Sequence, residues 1–197
     1  MAHRPRKEMI AETRAKLIAA GREAFGTIGY NDASMDDFTA AAGLTRGALY
    51  HHFGDKKGLM AAVVAQIDAE MSDRLNQLSA QAPTRWQALI DDNVGYLKMA
   101  IEPEIQRIVL RDGPAVLGDP STWPSAQGCV ASITASIQAL QEEGTIAADL
   151  DGEAIARLIT GGTTYAAQWI ANADDPEAAL EKSVAALEAM LEGLLAN

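Results

Sequence analysis

The stretch SMDDFTAAAGLTRGALYHHFGDKK, running from Ser34 to Lys57, decides how the chain is read. Ser34 with an acid three residues on, at Asp37, has the pattern of a capping box and opens a short helix ending at Gly43. Thr45 is the next N-cap, and the helix it starts reaches His51 or His52 before Phe53-Gly54 breaks it. Ala42-Gly43-Leu44-Thr45 between them makes a tight corner, so the pair reads as a helix-turn-helix, with glycine supplying the left-handed conformation. Gly47 lies inside the second short helix, where glycine costs about 1 kcal/mol relative to alanine. That cost makes sense if the backbone must approach an outside surface closely, such as the edge of DNA. Arg46, at the start of the helix, stands where recognition helices address bases, and arginine there pairs with guanine O6 and N7. Lys56 and Lys57 fall in the first turn of the following helix, capped by Asp55, at the positive end of its dipole. Cations are disfavoured there unless a phosphate docks, which turns the same placement to advantage. A merely solvated pair of charges is the competing reading.

Outward from this stretch the periodicity is helical throughout. Upstream, Ile10, Leu17, Ile18, Gly21, Ala24, Phe25 and Ile28 lie on one face of a helix over Glu8–Thr27 that Gly29 ends. Downstream, a fourth helix carries Leu59, Val63, Ile67, Met71, Leu75 and Leu78. Trp86, Leu89, Ile90, Leu97 and Ile101 mark a fifth, and Pro103 begins a sixth with Ile105, Ile108 and Val109 inward. Asp112–Ser125, with three prolines and two glycines, reads as the most loop-like part of the chain. Val130, Ile133, Ile137 and Leu140 mark a seventh helix. Asp151 caps an eighth, with Ile155, Leu158, Ile159, Ala166, Trp169 and Ile170 on its inward face. Asp175-Pro176 opens a ninth. The expected fold is all-α: a three-helix head over residues 1–54, its helix-turn-helix about 33–52, on a helical body over 55–197.

The 197 residues carry a net charge of −11, unevenly spread. The first 60 hold nine Lys and Arg against seven Asp and Glu, and the rest hold seven against twenty. An anion-facing head on an acidic body is the arrangement this suggests. One cysteine excludes an internal disulfide and fits a reducing compartment. No apolar run approaches the ~18 residues of a membrane span, and the N-terminus lacks the apolar core of a signal peptide. A cytoplasmic protein is expected.

Phe25-Gly26-Thr27-Ile28-Gly29-Tyr30, Ser34-Met35-Asp36-Asp37-Phe38, the run Ala42 to Phe53, and Lys56-Lys57-Gly58-Leu59 together resemble the DNA-binding domain of the TetR (tetracycline repressor) family of bacterial transcriptional regulators. The likeness covers residues 8–65 almost without gaps. It implies a DNA-binding head on a ligand-binding body, working as a homodimer on a palindromic operator in double-stranded DNA. On that pattern Ser34 and Tyr50 contact phosphate with His51 beside them; Thr45, Arg46 and Ala48 face the major groove, with Gly47 among them in the DNA-binding set; and Lys56 or Lys57 anchors the DNA backbone. Thr39 and Ala33 depart from the pattern, away from the recognition helix.

In the body, Trp86, Tyr96, Met99, Trp123, Tyr165 and Trp169 are candidates for the lining of a cavity for a small apolar effector, with Arg107 or Arg111 as a polar handle. Taken singly, each of these residues is more often plain core. Leu180, Val184, Leu187, Leu191 and Leu194 step by four and three, as in a bundle seam, and Gly161-Gly162 allows close approach of another helix. A dimer interface through the last two helices is expected, with packing inside the chain as the alternative. The basic arm His3-Arg4-Pro5-Arg6-Lys7 either enters a minor groove or is a solvated terminus. Cys129 reads as a structural thiol ahead of a redox sensor.

No cofactor, metal or catalysis is expected. His51 and His52 point about 100° apart on a helix and do not chelate together. No Ser/His/Asp set, Glu-x-x-His pair or glycine-rich phosphate loop is found. The sequence therefore points to a ligand-responsive repressor released by its effector. A small-molecule-binding helical protein, or a bundle-type enzyme, with a vestigial head is the rival.

Overall fold

The computed structural model describes residues 6–196, so His3, Arg4 and Pro5 of the basic arm lie outside the described residues, whereas Arg6 and Lys7 already belong to the first helix. In order, the helices are α1 (Arg6–Thr27), α2 (Met35–Ala41), α3 (Arg46–Phe53), α4 (Lys56–Gln81), α5 (Arg85–Met99), α6 (Gly113–Leu117), α7 (Pro124–Glu142), α8 (Gly152–Asn172) and α9 (Pro176–Glu192). A π-helical segment over Ile105–Asp112 runs into α6, and a 3-10 turn occupies Pro120–Thr122. Among the described residues the only β pairing is a single bridge between Ile146 and Leu195, so the all-α expectation holds.

Local chemistry sets most helix starts. Thr45, Asp55, Thr84, Asp151 and Asp175 each accept the backbone N–H three residues on, from Ala48, Gly58, Gln87, Ala154 and Ala178. Each such cap stabilises its helix by about 1 kcal/mol. At α2 the expected box is replaced by a tighter arrangement, because Ser34 Oγ accepts from Asp36 N, 3.2 Å away, instead of from Asp37. The corner between α2 and α3 is a Schellman turn. Leu44 N–H donates to Thr39 O at 2.8 Å, Gly43 N–H donates to Ala40 O at 2.9 Å, and Gly43 has φ +66°.

Phe25, Phe38 and Leu49 fill the centre of the head, with Phe25 and Phe38 edge to face at 6.0 Å. Helix α4 joins head to body: Leu59 and Val63 extend the head's core, and Ile67 and Met71 continue it into the bundle of α5, α7 and α8. Thr39 is buried and bonds back to Met35 O and Asp36 O within its own helix, which explains a hydroxyl at that position.

Four expectations are corrected. Ile10, Ile28 and Leu78 are exposed, because each sits beyond the stretch of helix its neighbours cover. Helix α3 continues through Phe53 and stops at Gly54. The stretch expected as a loop from Asp112 holds α6 and the start of α7. Pro114 has no N–H for the carbonyl four residues back, and the wide turns before it, in which Gly113 N–H donates to Ile108 O, let the helix pass through. Finally, Leu158 and Trp169 face outward on α8, 74% and 48% exposed.

The ninth helix also reverses its expected role. Leu187 and Leu191 are buried within the chain itself, and Leu180, Val184 and Leu194 pack against the same core. That stripe is spent on holding α9 to the body. The face left open is another one: Leu158, Gly161, Gly162, Tyr165 and Trp169 on α8, with Met190 on α9.

Candidate nucleic-acid interface and internal cavity

The capped turn at Thr45 presents one side of α3 to solvent. Thr45, Arg46, Gly47, Tyr50 and His51 are exposed, Ala48 is half-buried, and Leu49 on the opposite side anchors the helix to the head. A Cβ on Gly47 would meet nothing closer than Thr45 Oγ1 at 3.6 Å, so the chain's own packing does not call for glycine there. The Thr45 hydroxyl is engaged as the cap, as is that of Ser34, and both retain a proton to donate. Tyr50 projects its ring into solvent and is not part of the head's core.

The charges of this surface are partly pre-engaged. Asp36 on α2 holds the Arg46 guanidinium through both carboxylate oxygens, and this pairing raises the arginine's pKa. Lys56 is turned back onto the head: its Nζ lies 4.5 Å from the Tyr30 ring centroid and 3.3 Å from Asn31 O. That contact offsets the unfavourable dipole at its position. Lys57 beside it is exposed and is the better-placed phosphate anchor of the two.

Three contacts tie the head to the body through the π-helical segment. Arg22 of α1 bridges Glu70 of α4, at 2.7 Å, and Glu104 just ahead of the segment, at 2.6 Å. The hydrogen bond from its guanidinium, and then its charge, lowers the Glu70 pKa. Asp112 Oδ2 accepts the Tyr30 N–H at 2.9 Å. Arg107 lies over Gly29, whose φ is +87°, and a Cβ there would run into the guanidinium. Gly29 is thus required for its left-handed backbone, and the guanidinium lies in the space it leaves.

Inside the body is a cavity of about 400 Å³ bounded by α4, α5, the π-helical segment, α7 and α8. Of the residues expected to line it, Tyr96 and Trp123 do. Trp86 and Met99 are packed into the core instead. Arg107 faces the head, and Arg111 caps α8, donating to Ala171 O from Nε at 2.9 Å. Tyr165 is 75% exposed and, with Trp169, belongs to the open face of α8.

The wall includes residues that sequence reading passed over, above all Asp68, Asp92, Asn93 and Thr160. Burial pushes both carboxyls above the usual range, opposed in part by hydrogen bonds from Ser125 to Asp68 and from Ser79 to Asp92. Burial also pushes the Tyr96 hydroxyl up to about 12, and the thiol of Cys129, an exposed residue at the cavity's edge, is raised by partial desolvation and by the Asp92 and Asp68 carboxylates. Trp123 Nε1 and Thr160 Oγ1 are buried without a hydrogen-bond partner. A signal was present. Asp68 lies four residues after buried Val64 and three before buried Met71, and Asp92 lies three after buried Leu89, both on inward helical faces. Among the described residues no three His, Cys, Asp or Glu side chains are grouped to hold a metal ion.

Comparison with known proteins bears on both regions. Residues 17–63 match the family model described as bacterial regulatory proteins, tetR family, and residues 86–194 match the model described as tetracyclin repressor-like, C-terminal domain. A TetR-family transcriptional regulator from Pectobacterium atrosepticum is 53% identical over 98% of this chain and 99% of that one, with a TM-score of 0.90. A Streptomyces coelicolor TetR-family regulator, 22% identical over 93% of this chain and 96% of that one, shares the fold at a TM-score of 0.70. The HTH-type transcriptional regulator BetI of Escherichia coli is 35% identical over 94 residues, 45% of this chain and 48% of that protein. The repressor AcnR of Corynebacterium glutamicum is 28% identical over 100 residues, 51% of this chain and 52% of that protein. The chain thus spans about half the length of the curated relatives it matches.

Proposed function

The chain belongs to the tetR family of bacterial regulatory proteins, and from that premise we propose that it is a DNA-binding transcriptional regulator, a repressor that holds a palindromic operator as a homodimer and is released by a small molecule in its body. The observation that carries this reading is the solvent-facing side of α3, where Arg46, a glycine the fold does not need, and Tyr50 stand together on a capped helix. Two such helices enter successive major grooves about 34 Å apart. Arg46 reads a base, Lys57, Ser34 and Tyr50 hold phosphate, and Thr45 and Ala48 border the groove. A cytoplasmic location follows from that target. Among the described residues no helix is long and apolar enough to cross a membrane.

The open face of α8 and α9 supports the dimer. Leu158, Tyr165, Trp169 and Met190 form an apolar surface, and nothing lies within 4 Å of the Cβ positions at Gly161 and Gly162. A partner's α8 and α9 complete a four-helix bundle there. Release works through the π-helical segment: Val109 and Leu110 border the cavity, while Arg107 and Asp112 of the same eight residues hold the Gly29-Tyr30 turn of the head. A ligand that favours one placement of this segment changes the head spacing and so the fit to the operator.

Selection of random duplex DNA on the purified protein, repeated at two salt concentrations, tests the reading. An inverted repeat whose affinity falls steeply with salt is expected. Absence of any preferred sequence, together with unchanged behaviour of the Arg46→Ala, Lys57→Ala double variant in every assay, would leave the head vestigial. Tyr165→Glu should give a monomer in sedimentation and lose the operator with it.

A further inference from the structure

The wall of the cavity carries acidic groups and no basic one. Elsewhere several acidic groups have guanidinium partners: Glu70 and Glu104 share Arg22, Glu102 has Arg74, Glu143 has Arg85 and Glu153 has Arg157. Asp68 and Asp92 border the same cavity, and no Lys, Arg or His is part of its wall. The partners they do have are hydroxyls, Ser125 for Asp68 and Ser79, at 3.4 Å, for Asp92. Both carboxylates act on one neighbour, the Cys129 thiol, so their fields overlap in the cavity. Carboxylates drawn from water without a cation are costly, and that cost is relieved either by a proton or by a counter-charge.

The rest of the wall describes the remainder of the ligand. Met71, Leu75, Val109, Leu110 and Ile133 offer apolar surface, and the Tyr96 and Trp123 rings offer π faces that attract cations. Trp123 Nε1 is a buried donor without an acceptor. We propose that the effector is an organic cation, an amine or quaternary ammonium on an apolar body, whose charge is met by Asp68 and Asp92. This deepens the effector reading above and rests on it. The ligand supplies the missing counter-ion, and its apolar part bears on Val109 and Leu110, the residues of the segment that also holds the head.

Three compounds with one skeleton isolate the charge: 4-phenylbutylamine, 4-phenylbutan-1-ol and 4-phenylbutyrate, titrated calorimetrically into the full chain at pH 7. The amine is expected to bind at least tenfold more tightly than the alcohol, with the butyrate weaker still. Asp68→Asn and Asp92→Asn each weaken the amine about tenfold and leave the alcohol within about twofold. These variants keep the side-chain shape and remove a half-buried carboxylate, so they melt at or above the parent temperature. The three-compound comparison on the unmodified chain depends on neither. Equal or tighter binding of the alcohol or the butyrate, unchanged amine binding in both variants, or no binding by any of the three overturns the cation site. Operator affinity is read separately: amine binding that leaves it untouched keeps the cation site and removes the effector role.

Discussion

The head and the cavity hold their charges in opposite conditions. On α3 the functional cation is exposed and already paired, Arg46 with Asp36, in water and within ten residues of sequence. In the cavity the functional anions are half-buried and no cation is part of the wall. Ligation at the first site is an exchange, in which DNA displaces a carboxylate from a guanidinium. At the second it is an addition, in which a ligand supplies what the fold omits. An exchange between exposed partners is cheap and reversible and shifts with salt. An addition at a buried site depends on the sign of the ligand's charge and is little screened. One region is thus suited to testing many DNA sequences, the other to rejecting most small molecules.

Variants at each site separate the two conditions. The largest effect is expected from Arg46→Ala, which should lower operator affinity about 100-fold in fluorescence anisotropy while leaving amine binding in the cavity unchanged. Gly47→Ala comes next and has opposite signs in two assays. The helix gains up to about 1 kcal/mol against denaturant, and operator affinity falls about tenfold because the new methyl stands between backbone and DNA. A variant neither more stable nor weaker on DNA would show that the glycine has no part in the interface. Asp36→Asn removes the exchange partner and should raise affinity for nonspecific duplex about threefold. An unchanged or lower affinity would mean that Asp36 orients Arg46 and does not compete for it.

The smallest effect concerns Asp92. Its pKa is raised in the fold, so the folded chain keeps this proton to higher pH than the unfolded chain. Stability from this group is therefore lost as pH rises from about 4, the unfolded value, through the raised folded value. Asp92→Asn removes that loss. Its melting temperature should match the parent at pH 4 and exceed it by roughly 2 °C at pH 7. An advantage independent of pH would refute the account.

The head was legible because its instructions are local. Ser34, Gly43, Thr45 and Asp55 act on backbone atoms within five residues, and the fold uses each of them as a cap or corner. The cavity draws its wall from residues 68 to 168, and no local rule brings Asp68, Asp92 and Trp123 together. Aromatic residue type alone misled, since Tyr165 and Trp169 are as apolar facing a partner as facing a ligand. Helix α8 shows why. Ile155, Ile159 and Ile170 form one apolar stripe, and Leu158, Gly162, Tyr165 and Trp169 form a second on the other side. A helix apolar on two sides has two burials to make, and periodicity does not say which lies within the chain. The leucines of α9 pose the same choice, and their burial resolves it in favour of the chain.

The π-helical segment places Val109 and Leu110 against the cavity and Arg107 and Asp112 against the head within eight residues. For anyone re-engineering the protein as a biosensor, the cavity therefore has one wall that is wired and others that are not. Enlarging Ser132 or Cys129 on α7 changes which molecule fits while the transmitting segment keeps its shape. The same change at Val109 alters the recognition of the molecule and the message sent to DNA together. A library confined to α7 should yield new specificities that still switch, and one centred on residues 105–112 should yield mostly proteins locked on or off.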